Sequence, residues 1–127
     1  MMLKTILAAA SVAALFAVPT FAQDASPNGT WKDKWGTSFT FNLCGDGTDL
    51  CGTLNDIQGD SRTEENLKFV NQQVVQGKQT APNKWEGNIS LNGGGAKATV
   101  ELKNANTLKI TGCKGGIFCS SIDYARQ

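Results

Sequence analysis

The residues best able to do chemistry are carboxylates. Asp46 and Asp49 stand in a Gly-rich turn, Asp56 and Asp60 near the end of an apolar run, and Glu64 beside Glu65 in a polar stretch. Paired carboxylates are the minimum set for glycoside hydrolysis, and Asp46 with Asp49 offers oxygen ligands to Ca²⁺. Against this, the 127 residues include no His. That removes the commonest general base, the commonest metal ligand and every Ser-His or Cys-His arrangement. Asp in a Gly-rich turn is ordinary turn chemistry, and Glu-Glu in a polar run is a solvated face. The expectation is therefore a protein without catalytic residues, metal or cofactor.

Four Cys form the second chemical set. Cys44 and Cys51 bracket a Gly/Asp turn, and Cys113 and Cys119 bracket Gly115-Gly116. A hairpin at each place sets two Cα atoms opposite each other, near the ~5.5 Å a disulfide prefers. The pairing expected is Cys44 with Cys51 and Cys113 with Cys119, each worth roughly 2–2.5 kcal/mol by chain entropy. Zinc ribbons use C-x2-C knuckles, and both spacings here are too wide.

The elements that must carry these groups repeat with period two, not 3.6. Phe39, Phe41 and Leu43 alternate with Ser38, Thr40 and Asn42. Trp85, Gly87, Ile89 and Leu91 do the same, then Ala96, Ala98, Val100 and Leu102. Leu108 and Ile110 flank Lys109, and Phe118, Ile122 and Tyr124 share a face. Segments 30–34, 50–57 and 69–76 bring the set to about eight strands, the mark of an antiparallel barrel or sandwich. Turn sequences at 81–83, 92–95 and 104–106 separate them. Segment 60–66 is the one stretch that could form a helical turn, and it reads rather as a solvated loop.

Residues 1–22 read as a cleavable signal peptide, leaving one domain over 23–127. Lys4 precedes an apolar run at 6–18, and Thr20 and Ala22 put small residues at the cleavage position. The run has 13 residues, whereas a spanning helix needs roughly 20. A periplasmic or secreted protein with no membrane span follows, in an oxidising compartment that suits disulfides. Lys4 is the only charge in the signal, so 23–127 carries 11 basic and 11 acidic residues. Neutral balance without a basic cluster excludes nucleic acid as a partner.

Two resemblances narrow the fold. Gly29-Thr30-Trp31 resembles the Gly-x-Trp that opens the first strand of lipocalin-like (calycin) barrels, and Arg126 resembles the cation packed over that Trp when first and last strands pair. More of the chain resembles the exported bacterial family catalogued as domain of unknown function 2147. The matching residues are Gly29-Thr30-Trp31, Cys44, Leu50-Cys51-Gly52, Trp85-Glu86-Gly87-Asn88-Ile89, Leu108 to Cys113, Phe118-Cys119 and Tyr124-Ala125-Arg126. Ser90-Leu91-Asn92 stands where that family commonly has a Tyr-Asp-Pro corner. The resemblance implies an eight-stranded lipocalin-like barrel in the cell envelope, closed by Trp31 and Arg126. It implies no activity.

Two functional expectations follow. In the first, a monomer binds a small apolar or amphipathic ligand in one barrel mouth, with Trp31, Trp35, Trp85 and Tyr124 as aromatic walls. Core packing competes for all four, because eight strands enclose a space just wide enough for their own side chains. In the second, the protein acts by contact with an envelope protein, as a small protease inhibitor would, through the trunk 23–28. An open apolar cavity favours the first and a filled barrel the second.

Overall fold

Alternating β-branched, aromatic and polar residues make strands that are apolar on one face only, and a curled sheet buries that face against itself. The computed structural model describes residues 25–91, 94–114 and 117–127; the signal segment 1–22 lies outside them. Eight antiparallel strands form a closed barrel in sequence order. They are β1 (Gly29–Lys32), β2 (Ser38–Cys44), β3 (Asp49–Asp56), β4 (Gln73–Ala81), β5 (Lys84–Leu91), β6 (Gly94–Asn104), β7 (Thr107–Lys114) and β8 (Phe118–Arg126). Trp31, Phe41, Leu50, Leu54 and Leu108 are wholly inaccessible at the core. Among the described residues no helix is long and apolar enough to cross a membrane.

Three details differ from the sequence reading. The first strand stops at Lys32 because the Asp33 carboxylate takes over the chain's hydrogen bonding. Its Oδ1 accepts from the Trp35 and Thr37 N–H groups, both at 2.9 Å, and a side chain that caps the backbone locally ends a ladder. Segment 60–66 is not a plain loop: Gly59–Ser61 is a 3₁₀ turn and Glu64–Leu67 a one-turn helix, α1. Thr63 caps α1 by accepting from the Asn66 N–H, and Glu64 and Glu65 fill its first turn, where negative charge is favoured. The strand expected at 69–76 begins only at Gln73 and runs on to Ala81. Phe69 and Val70 instead pack from the turn onto the core.

Both disulfides form as paired in sequence, one at each end of the barrel. Cys113 and Cys119 face each other across β7 and β8, with Cα atoms 4.0 Å apart. Cys44 and Cys51 are not opposite but diagonal, since Cys44 faces Asp49 and Cys51 faces Asn42. Their Cα separation of 6.0 Å still lies within disulfide reach.

Closure is uneven. β1 pairs with β2 over four rows but with β8 over two, Trp31 with Arg126 and Lys32 with Ala125. Above Ala125, β8 continues from 124 back to 118 with no strand beside it on that flank, among the described residues.

Candidate functional site

The two barrel ends have different chemistry. At the end holding the β2–β3, β4–β5 and β6–β7 turns, the interior is plugged. Arg126 lies with its guanidinium carbon 4.3 Å from the centre of the Trp31 ring. The same guanidinium donates to the carbonyls of Ala105, Asn28 and Ser26 at 2.7, 2.8 and 2.6 Å. Trp31 Nε1 donates to Pro27 O at 2.9 Å, and the Leu43 N–H donates to Asn28 Oδ1 at 2.8 Å. Segment 26–28 is thus fastened across this end. Gly29 makes room for the arrangement: its φ is +136°, and a Cβ there would come 2.9 Å from Arg126 Nη1. Trp85 is buried on the same side, its Nε1 donating to Thr48 O at 2.8 Å.

At the other end, where β1–β2, β3–β4, β5–β6 and β7–β8 connect, the barrel opens on a cavity of about 510 Å³. Its lining is two-sided. Ile89, Leu91, Ala96, Ile110 and Ile122 of β5–β8 form an apolar wall, and Asp33, Thr37, Gln58 and Asn66 of the β1–β2 and β3–β4 connections form a polar one. Phe39 and Tyr124 meet where the walls join, ring centroids 5.6 Å apart and edge to face. Trp35, half exposed, and Phe118, almost fully exposed, stand at the rim.

The four aromatics expected to wall the mouth therefore divide. Trp35 and Tyr124 line the cavity, whereas Trp31 and Trp85 belong to the plugged end and do not reach it. Sequence reasoning missed Asp33, Thr37 and Phe39 as lining residues. The spacing Asp33 to Thr37 between two strands was the available signal, since Asp before a Gly turn caps it.

Electrostatics single out one corner. Asp33 is 9 % exposed and Tyr124 6 %. Burial pushes the Tyr124 phenol above its ordinary value, and the neighbouring Asp33 charge pushes it the same way. Asp33 has no ion-pair partner among the described residues. The remaining carboxylates are engaged locally or dispersed. Asp46 Oδ1 accepts from the Thr48 hydroxyl and N–H at 2.7 and 3.0 Å, and these bonds hold its carboxyl below the usual range. Asp49 pairs with Lys78 at 3.1 Å. Asp56 is held low chiefly by the Gln58 amide. Among the described residues no group of three or more His, Cys, Asp or Glu converges to hold a metal. The arrangement can enclose and orient a small molecule. Comparison with protein-family models, with curated proteins and with solved structures finds no match to this chain.

Proposed function

We propose that this protein is an exported, non-catalytic binder of a small amphipathic ligand, held in the open mouth of a lipocalin-like barrel. The observation that carries the reading is the cavity of about 510 Å³ with one apolar and one polar wall. Its volume falls within the roughly 300–1,000 Å³ typical of small-molecule sites, which are mostly apolar with a few fixed polar groups. Export is supported by the sequence of 1–22 and by two disulfides, which persist in oxidising compartments. The resemblance to the exported family, carried by Leu50-Cys51-Gly52, Trp85 to Ile89 and Leu108 to Cys113 among others, supports the same placement. A contact role through 23–28 has less to support it, since 26–28 is tied to Arg126 and Trp31.

The test is titration of the disulfide-bonded protein (23–127) with the neutral dye N-phenylnaphthylamine and with dodecanol. Saturable one-to-one binding with a blue shift of the dye is expected. Ala96→Phe, which fills the cavity from the apolar wall, should weaken it by about tenfold or more, roughly 1.4 kcal/mol. Absence of saturable binding by either probe rejects the reading. Envelope material should yield Gln23 as N-terminus by mass spectrometry; a chain retaining 3–18 rejects export.

A further inference from the structure

We propose that the cavity takes an amphiphile with a cationic amine head group, and that Asp33 and Tyr124 receive that head. The inference rests on the binding reading above and deepens it by naming the ligand's polar end. Three observations converge on one corner of the cavity. Asp33 is a carboxylate more than nine-tenths buried, and although Lys32 and Lys34 flank it in the chain, no Lys or Arg nitrogen among the described residues lies within 4 Å of it. Its Oδ1 is occupied by the Trp35 and Thr37 N–H groups, and among the described residues its Oδ2 receives no hydrogen bond. The Tyr124 hydroxyl, buried to a similar degree in the same lining, likewise has no hydrogen-bond partner among those residues.

A buried charge needs a partner, and a buried polar atom left unpaired costs free energy that an occupant can recover. An ammonium supplies what both atoms lack. One N–H bonds to Asp33 Oδ2, a second to the phenol oxygen, and the positive charge neutralises the carboxylate. The phenol stays neutral in this setting, because burial and the Asp33 charge both oppose its ionisation. It therefore accepts from the ammonium and adds no second negative charge. Other charges near the mouth do not reverse the sign. Asp60 on the 3₁₀ turn lines the cavity and is negative. Lys114 stands on the opposite rim, and the Lys34 ammonium lies over the Trp35 ring, 4.6 Å from its centre. The ligand's chain then runs from Asp33 toward Ile89, Leu91 and Ile110. An alcohol offers one donor and no charge, and a carboxylate head brings repulsion.

The experiment displaces N-phenylnaphthylamine from the disulfide-bonded protein (23–127) with dodecylamine, dodecanol and dodecanoate, each below its micelle concentration. Dodecylamine should bind tighter than dodecanol by about tenfold or more, as a charge-assisted bond does over a neutral one, with dodecanoate weakest. In Asp33→Asn the new side-chain amide oxygen still accepts from the Trp35 and Thr37 N–H groups, so the turn is kept while the charge goes. That variant should bring amine and alcohol within about threefold of each other. Should it fail to fold, Tyr124→Phe must still narrow the same ratio. Equal affinities in the parent protein, or an amine preference that survives both substitutions, overturns the head-group assignment and leaves the cavity reading standing. Failure of the dye and all three amphiphiles overturns the cavity reading itself.

Discussion

Tyr124 is the chain's single tyrosine, so its ionisation can be followed without interference. Its phenol titrates above the ordinary value of about 10 because the barrel buries it beside Asp33. A group whose folded value is raised stabilises the fold below its unfolded value, and that stability disappears as pH rises. Unfolding temperature should therefore fall as pH climbs past about 10, and Tyr124→Phe should fall less steeply over the same window. Melts at stepped alkaline pH check this, with phenolate absorbance as the direct readout. Asp46 and Asp56 behave oppositely: both are held low, so their contribution is lost as pH falls. Asp46 is exposed and Asp56 about half exposed, so water screens the effect. Asp46 was legible as a turn residue from Gly45-Asp46-Gly47, and Asp56 only as a carboxylate near a strand end. The importance of Asp33 was not. The spacing to Thr37 signals its turn, but its burial beside Tyr124, which arrives from the far end of the chain, is not a property of neighbouring residues.

Among elements, the tightest fit is β4 on β5. Gly77 faces Gly87 in the register, and a Cβ at Gly87 would overlap the Gln76 carbonyl oxygen and lie 2.6 Å from Gly77 Cα. The obstruction is backbone, so no rotamer relieves it. Gly87→Ala should destabilise the domain by roughly 2–4 kcal/mol, at the high end for a single added methyl. Chemical denaturation of the two proteins measures it, and a loss under about 0.5 kcal/mol, the size of an ordinary surface change, would refute the close packing. Strands β2, β5, β6 and β7 were legible because their alternation is clean and their turns carry Asn, Gly or Pro. Asn83, for example, holds a φ of 62° between β4 and β5. Where the pattern misled, a local signal competed with composition. Phe69 and Val70 are strand-formers by type, but the cap at Thr63 had already bent the chain into α1, leaving them to pack from a turn. A one-turn helix is too short to show a 3.6 period.

At the scale of the whole molecule, one side chain joins both termini to the middle. Arg126 stacks on Trp31 of β1 and reaches carbonyls of the N-terminal segment and of the β6–β7 turn. Terminal residues are usually expendable; the contacts of Arg126 predict that 125–127 are not. Deleting 125–127 should cost roughly 3 kcal/mol or more, since charged hydrogen bonds and the cation–π contact go together. Arg126→Lys keeps the charge but loses the planar fork, and should cost about 1–2 kcal/mol. Thermal unfolding followed by Trp fluorescence ranks the three proteins; equal melting of parent and truncated forms would mean the ends do not hold the barrel shut. The meeting of Trp31 with Arg126 was legible through family resemblance, whereas the three carbonyls were invisible, because backbone acceptors have no sequence signature. The seam those ends close is zipped only at its base, and this bears on crowding. Closed barrels escape strand-to-strand aggregation by having no edge, yet here, among the described residues, 118–124 has no strand on one flank, where Lys34 and Trp35 stand near Ser121 to Asp123. A neighbouring molecule's strand could pair there, as the first rung of a fibril, only once those two side chains move aside. Ser121 and Asp123 make that rung polar, and eight paired rows hold β8 to β7, with the Cys113–Cys119 bond fastening the hairpin near its tip. Reduction would leave that ladder in place and loosen only the tip of the hairpin, so in a reducing milieu β8 should fray first at its Phe118 end, and cross-β stacking would begin there.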